Sequence, residues 1–562
     1  MLITFIVWLI AGSAAWGYGL ICFRLESRQH DKARIAPESV AARLYFGLLL
    51  VGFALLAIAL VTNISWWLGL ALACPGIVIA ARHFSNGRPR STPGDSIFSK
   101  CMYFASGLLI LAFFVSTAEV QFFDTGLYHQ QVAKWLSDFG LVPGIALLLS
   151  NYGWTSSWFA TAATLNHGPL RGREAAIIGG LPFALMIMSS AAVVWRYKLA
   201  GVLPGIRGLT WSVFCGLLVV ISVTWSVESS LSPDIVIWLL PIVITLVLSE
   251  PTAHKSERVG LALLLSSLVL TVKLSAAPVA AYCSVVWLVQ FVRVRSGRKP
   301  LLVYLGLATV VVLVLAVANI RTSGCPLYPS PFGCSSGESS VGAASAASLG
   351  KDLRDFAAQG NRHMGWFVTA ALAGTFFGLK TLQNDPFILH GLAASWSGIV
   401  FILITAPNPR FGMGYLLLPV AMSLAIFVQW INLRWPTLLS TVRRSLSLVT
   451  AAVALTFLVL SIHAASSRFS LLLPKRMASA DGDPIHVVTQ RLNIRTKLSL
   501  TKARLGDVLV LCPQLQQCWD AALPCTPEPE QSIELKEPTQ GLRGGFRWSS
   551  SALQLRNSVV GH

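Results

Sequence analysis

The chain has 562 residues, of which 54% are hydrophobic and only 12% charged, against roughly a quarter charged in an ordinary soluble domain. So much apolar surface excludes a water-soluble globular fold. The net charge of +19 would suggest nucleic acid in a soluble protein, but here the basic residues fall in short segments between apolar runs. The positive-inside rule accounts for that pattern, and nucleic acid is not an expected partner.

Apolar runs of about 17 to 25 residues, the length that crosses a bilayer, recur from Leu2 to about Ile462. They are rich in Leu, Ala, Val and Gly and do not alternate like the strands of an outer-membrane barrel. The expected fold is an all-α integral membrane protein of about 14 transmembrane helices. The spans are placed at approximately 2–22, 43–62, 64–82, 101–118, 175–195, 209–225, 234–250, 258–272, 276–292, 300–318, 366–380, 387–405, 411–430 and 445–462. The first run lacks the small-residue cleavage site of a secretory signal and reads as a retained helix.

Basic clusters assign the sides. Arg24, Arg28, Lys32, Arg34 and Arg43 lie around the first loop, and Arg82, Arg88, Arg90 and Lys100 in the third. Arg293, Arg295, Arg298 and Lys299 precede the tenth span, and Arg434, Arg443 and Arg444 the last. Alternation puts them all on the cytoplasmic face of a cell inner (plasma) membrane. Loops 119–174 and 319–365 and the tail 463–562 then lie outside, so a polytopic domain at 1–462 is followed by a small extracytoplasmic C-terminal domain. Span 366–380 is short, and everything after it would flip if it did not cross.

The first large outer loop is polar and aromatic, with Glu119, Asp124, Tyr128, His129, Gln130, Gln131, Lys134 and Trp135 followed by Asn151, Tyr152, Trp154 and His167. Leu127, Gln131, Lys134 and Trp135 recur at helical spacing until Pro143 and Gly144, and Trp158, Phe159, Ala162 and Leu165 share a second helical face. Two juxtamembrane helices with Trp and Tyr at headgroup level are expected, shaping a cavity where a lipid-linked substrate meets water.

Asp124 has two readings: a general base that accepts an acceptor hydroxyl proton, or the N-cap of the helix that begins near Thr125. His129 reads as a structural hydrogen-bonding group and Glu119 as a membrane-boundary residue, while Tyr128 and Lys134 complete the cavity candidates. Lys273, between apolar spans, costs a few kcal/mol unless it snorkels or has a partner. Arg321 and Arg410 suit either a phosphate or a lipid headgroup, and Asp234, after Ser232-Pro233, a helix cap or a cavity-lining acid.

Cys22, Cys74, Cys101, Cys215 and Cys283 sit at apolar spans and read as packing residues. Cys325 with Cys334 and Cys518 with Cys525 suit small disulfide loops in an oxidising compartment, with free thiols as the alternative and Cys512 left over. They lack the paired CxxC spacing of a zinc site. The stretch 333–350, rich in Gly, Ser and Ala, reads as a flexible lid or linker, and the tail as a small domain with a strand-like run from Asp507 to Leu511 that packs on the outer loops.

Phe123-Asp124-Thr125-Gly126-Leu127-Tyr128-His129, Val142-Pro143-Gly144 and Ser156-Ser157-Trp158-Phe159 resemble an uncharacterised bacterial family of polytopic membrane proteins. Ser230-Leu231-Ser232-Pro233-Asp234, Lys273-Leu274-Ser275, Pro409-Arg410-Phe411 and the tail run Cys518 to Cys525 extend the resemblance. The general plan is also similar to the GT-C superfamily glycosyltransferases, polytopic enzymes that use polyprenyl-phosphate sugars and carry an essential Asp in the first large outer loop. That resemblance implies Asp124 as the catalytic carboxylate and Lys273, Arg321 and Arg410 at the donor phosphate. It implies as partners a polyprenyl-phosphate-linked sugar, a glycan or lipid acceptor and membrane lipids. Three spans precede the Asp124 loop where many members have one, and no Asp-Glu or Asp-x-Asp pair stands out, so no cofactor is certain and a divalent metal stays open.

The expected function is sugar transfer on the outer face in cell-surface glycan or glycolipid assembly. A transporter or flippase of a lipid-linked glycan, and a polysaccharide polymerase or ligase working through 319–365, are the alternatives.

Overall fold

In lipid a backbone must satisfy its own hydrogen bonds, so long apolar runs fold as helices. The computed structural model describes residues 2–24, 37–86, 107–118, 120, 122–200, 204–250, 255–294, 298–359, 363–382, 384–435, 500–505, 508–514, 516–527, 529 and 532–553. Helices α1 (Leu2–Arg24), α2 (Pro37–Ala59), α3 (Trp66–Asn86) and α4 (Gly107–Ser116) precede the first large loop, which holds α5 (Gln130–Asp138) and α6 (Ser157–Ala163). Then come α7 (Glu174–Ala200), α8 (Ile206–Trp225), α9 (Asp234–Ser249), α10 (Lys255–Leu270), α11 (Ala277–Arg293) and α12 (Arg298–Ser323). The series continues with α13 (Gly342–Gln359), α14 (Met364–Leu382), α15 (Pro386–Thr405) and α16 (Pro409–Arg434).

Among the described residues, 9 helices are long and apolar enough to cross a membrane: α1, α2, α3, α7, α8, α11, α12, α15 and α16. The chain is a helical, multi-pass membrane protein. Of the roughly 14 expected spans, these 9 are the ones that the described residues carry at full length. The runs at 234–250 and 258–272 form helices of only 16 residues, α9 and α10, and every residue of α9 is buried. A helix that is apolar all round suits lipid or the centre of a bundle equally, and hydropathy does not distinguish them. The run at 101–118 forms the short α4 in its described part, α14 covers 366–380 without joining the 9, and 445–462 lies outside the described residues.

The central α9 packs against α10, α15 and α16. Small residues let these backbones approach, as is general for helices in membranes. A methyl group on Gly414 of α16 would stand 2.0 Å from the Trp238 carbonyl oxygen of α9. The Trp238 indole Nε1 donates to the Arg410 carbonyl at 2.8 Å, one helical turn earlier on α16. This contact sets the N-terminal ends of α9 and α16 side by side.

In the tail, β1 (Leu500–Leu505) pairs antiparallel with β2 (Val508–Pro513), Leu505 opposite Val508. A second pair joins β3 (Ile533–Leu535) to β4 (Phe546–Trp548). The expected strand falls in β2, with Asp507 outside the described residues. The Phe546 amide donates to the Pro143 carbonyl and the Trp548 amide to the Glu338 carbonyl, both at 2.9 Å, so the tail and the two large loops lie together. Residues 333–350 are not simply a linker, because α13 begins at Gly342. The Ala-rich stretch that suggested flexibility is also the best helix former. The disulfides Cys325–Cys334 and Cys518–Cys525 both form, while Cys512 is free and buried. Cys101 lies outside the described residues.

Gly414→Val should push α16 off α9 and lower the thermal unfolding midpoint, overpacking of this kind costing about 1–3 kcal/mol. Gly414→Ala should do the same to a smaller extent. An unchanged melting curve for the Val variant would refute the close approach.

Candidate functional site

Four charged groups from distant parts of the chain form one row. Asp124 stands just ahead of a π-helical turn at Thr125–His129, Asp234 opens α9, Lys273 follows α10 and Arg410 lies in the first turn of α16. Arg410 Nη2 is 2.6 Å from Asp124 Oδ2, and its Nε is 2.6 Å from Asp234 Oδ2. The other Asp234 oxygen, Oδ1, receives Lys273 Nζ at 2.5 Å. The Arg410 guanidinium also lies 4.1 Å from the Phe122 ring centroid, and Lys273 Nζ 4.6 Å from that of Phe411.

Local sequence explains each placement. The Asn408 side chain caps α16 by accepting from the Arg410 amide at 3.0 Å, which orients the first turn. The Ser232 hydroxyl accepts from the Asp234 amide at 3.3 Å, leaving both carboxylate oxygens for the cations. Ser156 Oγ donates to the Val272 carbonyl at 2.8 Å and Thr271 Oγ1 to Ser157 Oγ at 2.9 Å, so α6 anchors the turn that carries Lys273. The Asp124 side chain makes no capping bond, which sets aside the N-cap reading. Asp234, too, spends its carboxylate on cations and not on a cap.

Asp234 is sealed at 1% side-chain exposure, whereas Asp124, Arg410 and Lys273 are each about a quarter exposed, at 25%, 24% and 26%. The row is formally neutral, but the N-terminal ends of α9 and α16 both point their positive dipole ends toward it. The accessible part of the row therefore favours an anion. Burial works to raise the Asp124 carboxyl, but the charge and hydrogen bond of Arg410 outweigh it and hold the group below the usual carboxylate range. Burial pushes the neighbouring His129 imidazole down to about 3, and so it stays neutral. Its Nδ1 lies 3.4 Å from Thr125 Oγ1, and its Nε2 has no hydrogen-bond partner among the described residues. Tyr128 is buried edge-on to Trp154, and burial, reinforced by Asp124, raises its phenol well above the ordinary value.

Other expected site residues lie elsewhere. Arg321 is not with Asp124: its guanidinium donates to the Leu60 carbonyl, because the end of α12 turns it toward α2. Lys134 is buried against Asp520 of the tail at 3.3 Å and does not line a cavity with Asp124. Glu119 lies outside the described residues. Helices α5 and α6 are present as expected, but Lys134, Trp135, Trp158 and Phe159 are buried in protein rather than set in headgroups, since the tail and neighbouring helices cover them. A resident divalent ion does not suit these donors: both carboxylates hold cations, and among the described residues no cluster of three His, Cys, Asp or Glu has metal-binding geometry.

Sequence reasoning passed over Glu228, buried in the turn between α8 and α9, where Ser222 Oγ donates to its Oε2 at 3.1 Å. The turn Val227-Glu228-Ser229-Ser230-Leu231-Ser232 carried the signal, a polar run too short to escape two apolar helices. Burial raises this carboxyl to about 8.

The two acids should respond to pH with opposite signs. Asp124 is lowered on folding, so its pairing contributes stability that is present above the ordinary carboxylate range and lost as pH falls through the lower folded value. Asp124→Asn should cost about 1–3 kcal/mol at neutral pH, a gap that narrows as pH falls below the ordinary carboxylate range. Glu228 is raised, so wild type should lose stability as pH climbs to about 8 and Glu228→Gln should not. Melting curves across that range test both, and parallel curves for wild type and both variants would refute the assignments.

Residues 1–336 match the model of a family described as a domain of unknown function (DUF8201). No curated protein and no solved structure matches the chain. The matched stretch takes in Asp124, Asp234 and Lys273, and ends before Arg410 and the tail. It covers more than half of the 562 residues, and the chain belongs to this DUF8201 family.

Proposed function

We propose that the protein is a membrane glycosyltransferase that moves a sugar from a polyprenyl-phosphate donor to a glycan or lipid acceptor. In this reading the reaction takes place on the outer face of the plasma membrane, in cell-surface glycan or glycolipid assembly. The observation that carries the reading is Arg410, which bridges Asp124 and Asp234 at helix ends with Lys273 alongside. A base and two cations with positive helix ends are the groups that a phosphate-leaving transfer needs. The general plan's similarity to GT-C enzymes supports the same reading. So do the two disulfides in the shared outer layer, which suit an oxidising compartment.

The chemistry follows from the row. The donor phosphate engages Arg410 and Lys273, and in doing so draws Arg410 away from Asp124. The freed carboxylate accepts the proton of the acceptor hydroxyl as its oxygen bonds the anomeric carbon. The bond from that carbon to the phosphate oxygen breaks, and the electron pair leaves on the lipid phosphate, where the two cations offset the charge. Asp234, sealed beneath, keeps both cations in place. Arg321, turned to Leu60, has no part in this step.

Purified protein given synthetic polyprenyl-phosphate sugars should form glycosylated product, with Asp124→Asn lowering the rate by about 10²–10⁴ fold. Arg410→Lys should raise the KM for the donor, because an ammonium does not bridge two carboxylates as a guanidinium does. Transfer that Asp124→Asn leaves intact would sink the mechanism. Translocation of the lipid without a new glycosidic bond would instead indicate a flippase. Labelling of a cysteine introduced beside Asp124, and of a tag on the tail, should both report the outer face; a cytoplasmic tag would overturn that orientation.

A further inference from the structure

The tail does more than cover the outer loops. Its Cys518–Cys525 disulfide closes a small loop that lies on the segment carrying Asp124. Gln517 Nε2 donates to the carbonyl of Phe123, immediately before Asp124, at 2.8 Å. The Trp519 amide donates to the carbonyl of Gly126, two residues after it, at 2.9 Å. The Trp519 ring covers Gly126 so closely that a methyl group there would stand 2.6 Å from it. Asp124 is therefore bracketed on both sides, by Trp519 within this loop and by Gln517 immediately before it.

The same loop is held along the next turns. Gln131 Nε2 donates to the carbonyls of Trp519 and Ala521 at 2.9 and 3.0 Å. Lys134 Nζ donates to the carbonyls of Asp520 and Ala521 and pairs with the Asp520 carboxylate. At the far end Tyr152 Oη donates to the Cys525 carbonyl at 2.6 Å and Thr526 Oγ1 to the Leu148 carbonyl at 3.0 Å. Trp519 itself sits at φ +45°, a backbone conformation rare for a bulky residue. Such a conformation persists only where the surroundings over-determine it, and strained positions of this kind gather at functional sites. The segment beneath is a π-helical turn, another local irregularity found often at such sites.

We propose that this disulfide-closed loop is a strap that sets the position of Asp124, with Gln517 and Trp519 as positioning residues. The charged row is then complete only when the oxidised tail is docked. The consequence for catalysis rests on the glycosyltransferase reading; the hold of the strap on 123–134 does not. A strap in this place ties the competence of the site to oxidation, because the reduced loop loses the closure that fixes the shape of 518–525 and with it the seat of Trp519 on Gly126. It also gives a role to the buried Lys134–Asp520 pair, which holds the loop to α5.

Full-length protein in lipid nanodiscs, examined by amide hydrogen exchange, tests the strap without any substrate. Trp519→Ala, and separately Cys518→Ser with Cys525→Ser, should speed exchange across 124–134 by about tenfold or more, with α9 unchanged. Trp519→Phe, which keeps a ring over Gly126, should restore most of the protection. Mild reduction of wild type should reproduce the effect and re-oxidation reverse it. Protection of 124–134 that survives Trp519→Ala would overturn the proposal, as would equal loosening of α9, which would mark a general loss of fold. Polyprenyl phosphate without a sugar is the second probe: wild type should bind it and Trp519→Ala should bind at least about tenfold more weakly. If wild type does not bind it, the functional reading falls while the exchange data still decide the strap.

Discussion

The arrangement depends on one guanidinium held between two carboxylates. Arg410 stands in the first turn of α16, where the helix dipole disfavours a cation, and it is stable there because Asp124 and Asp234 each approach to 2.6 Å. Asp234 in turn shares its second oxygen with Lys273. Each ion is costly to remove from water, and only their mutual pairing offsets that cost. Deleting Arg410 would leave Asp124 without its partner, and deleting Asp234 would leave Lys273 without its own, so the row behaves as a unit. It is better suited to specifying a geometry than to adding net stability.

Backbone proximity makes that row attainable. The Gly414 and Trp238 contact brings α16 against α9 one turn below the paired side chains, so the short reach of an aspartate is enough. The Ser-rich turn before α9 and the α6 anchor on Thr271 and Val272 bring Asp234 and Lys273 to the same level. From the opposite side the tail presses on the π-helical turn after Asp124. Helix packing thus fixes three members of the row, while the fourth, Asp124, belongs to a loop that needs the tail.

Several members of the site are legible in the sequence because charge next to an apolar run is expensive and therefore conspicuous. Asp124, Asp234, Lys273 and Arg410 all carry that signature. Arg321 carries it equally, yet faces Leu60, because a charge at a helix end says nothing about the direction the helix end presents it. Lys134 and Gln131 look like surface groups in a polar loop, and their burial depends on a tail almost four hundred residues later in the chain.

Composition and run length, through the cost of unpaired backbone in lipid, determine that this is a helical multi-pass protein, and cysteine spacing points to the two short disulfide loops. Which apolar runs meet lipid was decided by packing: α9 is among the most apolar helices and is wholly enclosed. The pairing of Asp124 with Arg410 was likewise a tertiary outcome, across 286 residues of chain. Local pattern records what each segment can bury, whereas the partner of a charge is set by which helix ends meet, and that is a property of the whole bundle.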